Sequence, residues 1–114
     1  MVNEAVLNGV KKYLRALKEK GVVVKFGVVF GSQATGNADA WSDIDLLVVS
    51  PRFDAQHSRE DINLLWRLAA TTDNRIEPIP CGEQQWLKDD ASTIIELARR
   101  EGETIIPDEL TIPR

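Results

Sequence analysis

From Val28 to Ser50 the chain reads VVFGSQATGNADAWSDIDLLVVS, two apolar runs joined by a glycine-containing turn and a pair of alternating aspartates. The pattern predicts a buried strand from Val28 to Phe30, a turn at Gly31-Ser32 into a short helix over Gln33 to Gly36, and a returning strand from Asp43 to Val49. Glycine lets the backbone approach a ligand closely, and the amides that open a helix, helped by the Ser32 hydroxyl, can hold a polyphosphate. Side chains alternate along a strand, so Asp43 and Asp45 point the same way, with Ile44 and Leu46 opposite. Their Cα atoms should lie about 6.6 Å apart, a span that suits a hard cation such as Mg²⁺ arriving with a nucleotide. Either half alone is ordinary turn or helix-start chemistry. Together they mean more. Two like charges on one face of a strand built from Ile, Leu and Val repel each other until a cation or solvent relieves them.

The same run closely resembles the signature of the DNA polymerase beta-like nucleotidyltransferase superfamily, in which Gly-Ser and a variable spacer precede Asp-x-Asp. The residues that carry the resemblance are Gly31, Ser32, Ala34, Gly36, Ser42, Asp43 and Asp45. In spacing and shortness the chain is most similar to the minimal nucleotidyltransferases, small domains frequently encoded beside a HEPN-domain protein and acting as its antitoxin. The resemblance implies a polymerase beta-like core and a site in which Asp43 and Asp45 hold Mg²⁺ or Mn²⁺. Gly31, Ser32 and Ser42 would bind ATP or another nucleoside triphosphate.

It also implies a third carboxylate on a neighbouring strand. The candidate is Glu77, within Arg75-Ile76-Glu77-Pro78-Ile79, as general base and further metal ligand. Pro78 biases Glu77 toward extended backbone and suggests an edge strand. The implied reaction transfers a nucleoside monophosphate, AMP by expectation, to a hydroxyl on a HEPN-domain toxin. Thr35 stands where many minimal members carry arginine, so a charge contact is missing. Two alternatives follow: a non-catalytic antitoxin acting by occupancy, and a small-molecule nucleotidyltransferase of the antibiotic-modifying type.

A chain of 114 residues is expected to form one domain over residues 1–114, with the acceptor supplied by another protein. Eighteen acidic residues against 14 basic ones give a formal charge of −4, which argues against avid binding to nucleic acid and hence against template-directed polymerisation. The one cysteine, Cys81, and the one histidine, His57, rule out an internal disulfide and a Cys/His zinc cluster. Cys81 is expected to be a buried small hydrophobe and His57 to be exposed. No apolar stretch is long enough to span a bilayer and no signal-peptide core opens the chain, so a soluble cytoplasmic protein is expected. A homo-oligomer is compatible with the sequence.

Periodicity places the remaining elements in an α/β fold, a small mixed β-sheet flanked by helices. Val6, Leu7, Val10, Leu14 and Leu17 define a helix from Asn3 to Lys20, stopped by Gly21, with Lys11, Lys12, Arg15 and Lys18 on a solvated face. A strand is expected from Val22 to Phe30, with Gly27 marking a bulge or a close approach. Ser58 and Asp61 cap a helix to Ala70 whose inward face is read as Ile62, Leu65, Trp66 and Ala69, with Leu64 and Leu68 widening the apolar stripe toward burial. Arg75 to Pro80 is a third strand, Glu83 to Lys88 a helical turn, Ala91 to Arg100 a helix with Ile94, Ile95 and Ala98 inward, and Thr104 to Ile106 a last strand. Trp41 is read as cover over the strand ends or as a base-stacking surface. Leu110 and Ile112 in the tail could attach to a partner.

Overall fold

The computed structural model describes residues 2–36, 38–39, 42–54, 58–89 and 91–107. Trp41, His57, Leu110 and Ile112 lie outside these residues, and so do the expectations placed on them. The elements run α1 (Glu4–Glu19), β1 (Phe26–Phe30), α2 (Ser32–Thr35), β2 (Ile44–Val49), a 3-10 turn (Pro51–Phe53), α3 (Arg59–Thr72), β3 (Ile76–Cys81), α4 (Glu83–Lys88), α5 (Thr93–Glu101) and β4 (Glu103–Ile105).

Among the described residues the strands form one four-stranded sheet in the order β3-β2-β1-β4. β1 pairs antiparallel with both β2 and β4, whereas β2 and β3, joined through α3, pair in parallel. This is the expected mixed sheet flanked by helices. Alternation divides it into two faces. Val29, Ile44, Leu46, Val48 and Ile76 pack with α1 and α3, while Val28, Phe30, Leu47, Val49 and Cys81 pack with α5 and Trp86 of α4. β2 is apolar on both sides and buried from Leu46 to Val49, as befits a strand covered on both faces.

Asn3 caps α1 by accepting a hydrogen bond from the Val6 amide at 2.9 Å, and Gly21 leaves the helix at φ +90°. Tyr13, which the apolar count passed over, is buried and donates its hydroxyl to the Leu65 carbonyl at 2.9 Å, tying α1 to α3. β1 begins at Phe26, four residues later than expected. Val22 is claimed by the end of α1, its amide donating to the Leu17 carbonyl at 3.1 Å, and Val22 and Val24 are buried without joining the strand. Gly27 makes no bulge. A Cβ there would meet Leu46 at 3.0 Å and Leu14 at 3.3 Å, so it permits the close approach of α1.

The inward face of α3 is a correction. Leu65, Leu68 and Ala69 are buried as expected, but Ile62 and Trp66 are exposed, and Asp61 takes an inward position. In α5, Ile95 and Ala98 are inward and Ile94 is exposed. Cys81 is buried, and burial pushes its thiol up to about 11, which leaves no nucleophilic thiolate near neutral pH. Among the described residues no helix is long and apolar enough to cross a membrane.

Candidate functional site

Antiparallel pairing of β1 and β2 sets Phe30 opposite Asp45, and parallel pairing of β2 and β3 sets Asp45 beside Glu77. Asp45 and Glu77 therefore project from one face of adjacent strands. That face is the one carrying Leu47 and Val49. Asp43 immediately precedes β2, two residues from Asp45, and is exposed.

Chemistry registers the convergence. Burial first, and then the Asp43 charge, push the Asp45 carboxyl above the usual carboxylate range. Glu77 is raised as well, first by a hydrogen bond with Asp43, then by desolvation and by the charges of Asp43 and Asp45. A hydrogen bond between two carboxyl groups requires one of them to keep its proton. This is how an acidic cluster relieves its own repulsion when no cation is bound. Among the described residues no group of three His, Cys, Asp or Glu side chains is already drawn together as a metal cage.

The turn at Gly31 fits against these carboxylates. Gly31 has φ +74° and ψ −149°, a conformation that favours glycine, and a Cβ there would stand 2.5 Å from the Asp45 Oδ2. The turn can therefore lie against the Asp45 carboxylate only because residue 31 has no side chain. From Gly31 the chain enters α2, whose carbonyl at Gly31 accepts from the amides of Ala34 at 3.0 Å and Thr35 at 3.2 Å. Thr35 turns its hydroxyl back toward the same carbonyl at 3.3 Å. Gly36 closes the helix at φ +83°.

Ser42 sits in a reciprocal turn. Its hydroxyl donates to the Asp39 carboxylate at 3.2 Å and accepts from the Asp39 amide at 3.0 Å. Sequence reading missed Gln33, which is buried on α2 and donates from Nε2 to the Ser42 carbonyl at 3.1 Å. A Gly-Ser signature says nothing about the residue after it, and the acceptor is a backbone atom nine positions away.

Gly31, Ser32, Asp43, Asp45 and Glu77 thus meet at one end of the sheet. The fold is that of a nucleotide-transferring class, and sequence comparison agrees. The profile of the family described as nucleotidyltransferase domain matches residues 10–102, and the chain belongs to that family. Two solved structures share the fold. A candidate nucleotidyltransferase from Sulfolobus solfataricus superposes with a TM-score of 0.59 at 17% identity, covering 86% of this chain and 77% of that one. A toxin-antitoxin crystal structure with AMP-PNP gives a TM-score of 0.56 at 20% identity, covering 88% of this chain and 78% of that one. No curated protein matches the sequence.

Proposed function

We propose that this chain is a Mg²⁺-dependent nucleotidyltransferase that moves AMP from ATP to a hydroxyl on a partner protein, and that it is the antitoxin of a toxin-antitoxin pair. The observation that carries the transferase reading is the gathering of Asp43, Asp45 and Glu77 beside the Gly31 turn in a chain of the nucleotidyltransferase family. The toxin-antitoxin structure with AMP-PNP, similar in fold, supports the partner and the adenine nucleotide. The signature in Gly31 to Asp45 adds a HEPN-domain protein as the toxin.

An all-oxygen, anionic donor set fits a hard divalent cation, so Asp43, Asp45 and Glu77 are the residues that would hold Mg²⁺ or Mn²⁺. Once bound, the metal supplies neutralising charge to the phosphates. Gly31 and Ser32 hold the triphosphate, and Glu77 takes the proton of the acceptor hydroxyl. The acceptor oxygen bonds to the α-phosphorus, the bond from that phosphorus to the bridging oxygen breaks, and pyrophosphate leaves. The cytoplasm, which supplies both ATP and Mg²⁺, is the proposed location.

The test is to incubate the chain with ATP, Mg²⁺ and its genomic neighbour and to weigh the neighbour by mass spectrometry. An added AMP that Glu77→Gln greatly reduces is the expected result. Thr35, standing where many minimal members carry arginine, is the ground for a second reading in which the partner is neutralised by occupancy. A neighbour that is bound and inhibited at unchanged mass with every common nucleotide would decide for it.

A further inference from the structure

If the Gly31-Ser32 turn and the Asp43/Asp45 pair receive the same metal-bound triphosphate, their relative placement matters as much as their presence. Helix α2 cannot fix that placement alone, because a helix of four residues has too few internal hydrogen bonds to be stable by itself. Gln33 spans the gap. The residue is only 5% exposed, and its Nε2 donates to the Ser42 carbonyl at 3.1 Å. That carbonyl belongs to the peptide unit joining Ser42 to Asp43, so the bond fixes the plane from which the Asp43 backbone departs.

The neighbouring atoms are held from other sides. The Ser42 amide donates to the Asp39 carbonyl at 3.2 Å, and the Ile44 amide donates to the Arg75 carbonyl at 2.8 Å. Asp43 therefore lies between two anchored residues, one fixed by α2 and one by the start of β3. Filling space does not explain an amide at this position. Burying one is unfavourable unless it is hydrogen-bonded, and Leu or Met would fill the same volume without that cost.

We infer that Gln33 is a positioning residue for nucleotidyl transfer, coupling the phosphate-holding turn to Asp43 so that metal and triphosphate are received in one fixed geometry. The inference rests on the nucleotidyltransferase reading above. Gln33 acts through the Ser42 carbonyl and not by touching substrate.

Gln33→Met tests it, since it keeps length and volume and removes the donor. Calorimetry with AMP-PNP, in Mn²⁺ and in chelator, should show the metal-dependent gain in affinity falling about tenfold, while affinity in chelator stays unchanged. With an acceptor present, kcat should fall further than KM rises, because misplacement by ~1 Å can lower a rate about hundredfold. Should Gln33→Met fail to fold, Gln33→Asn, whose amide is one methylene too short to reach Ser42, is expected to give the same losses. A wild type with no metal-dependent nucleotide binding overturns the transferase reading, and this inference with it. A wild type that shows the linkage beside a folded variant that keeps it undiminished overturns the positioning role alone. Failure of both variants to fold would make Gln33 a strut of the fold and also overturn the role.

Discussion

Gly31 and Asp45 occupy each other's space, and this contact links backbone conformation to site chemistry. Gly31→Ala introduces a Cβ at φ +74° and drives it against the Asp45 carboxylate. Backbone at φ +74° and ψ −149° is close to a region essentially reserved for glycine and costs a side chain about 1–3 kcal/mol, and displacement of Asp45 adds to that. A lower melting midpoint and loss of metal-dependent nucleotide binding are expected together; a variant that melts and binds like the wild type would separate the turn from the site. Asp45→Asn should do the opposite to stability. A carboxyl raised in the folded state contributes stability at low pH that is lost as pH rises through its folded value, so at neutral pH the ionised cluster is unfavourable to the apo fold. In chelator, Asp43→Asn and Asp45→Asn should each melt at or above the wild-type midpoint at pH 7, and the difference should vanish as pH falls below the carboxylate range. Both should also lose the metal-nucleotide linkage. A large drop in midpoint for both variants would make the aspartates ligands of the fold. Residues whose type and spacing form a pattern stand out in sequence: Gly31, Asp43 and Asp45 do so by themselves, whereas Glu77 is singled out by the family resemblance, which implies a third carboxylate on a neighbouring strand. Gln33 does not, because its meaning lies in a carbonyl brought near only by the folded loop.

At the scale of elements, α3 shows where apolar counting loses its footing. Leu64, Leu65, Leu68, Ile62 and Trp66 offer overlapping stripes, and a polar residue decides between them. Asp61 turns inward to complete a capping box, accepting from the Ser58 amide at 3.4 Å while its own amide donates to Ser58 Oγ at 3.1 Å. Its other oxygen accepts from Arg52 Nε at 3.0 Å and stands 2.8 Å from the Arg52 terminal nitrogen. With Asp61 held inward by these bonds, Leu65 and Leu68 are buried and Ile62 and Trp66 are exposed. Asp61→Ala removes the cap and the ion pair together, and a loss of about 1–3 kcal/mol in urea unfolding is expected. A change within error would mean that Leu65 and Leu68 alone orient the helix. The other end of α3 carries a pH signature. Arg75, bonded to Asp73 at 3.0 and 2.7 Å, holds that carboxyl below the usual range, aided by the Arg75 amide and the Lys12 charge against the opposing effect of burial. A lowered carboxyl contributes stability above its unfolded value that disappears as pH falls through its folded value. Asp73→Asn should cost about 1 kcal/mol at pH 7, after allowance for partial exposure, and its deficit should close in the acid limb. An unchanged acid limb would assign the pair no role in stability.

For the whole molecule, sequence established the two faces of the sheet but not the order of its strands, since alternation tells which side chains share a side and not which strands are neighbours. Pro78 was the exception, because a proline in a strand points to an edge. β3 is indeed at an edge. The register shows how this works. The Arg75 carbonyl accepts from Ile44 and the Cys81 carbonyl from Ser50, so odd-numbered residues of β3 turn their backbone toward β2 and the even-numbered ones between them turn outward. Pro78 and Pro80 both occupy outward positions. Their missing amides take nothing from the ladder to β2 and strip donors from the free edge, where another strand would otherwise pair. β4, at the opposite edge, offers only three residues. Replacing both prolines by valine, similar in volume and better suited to strands, should keep the fold and restore two outward donors. Sedimentation at matched concentration should then show the double variant forming larger species than the wild type, in a manner that increases with concentration. Identical sedimentation by a folded double variant would show that the edge is protected by something other than its prolines.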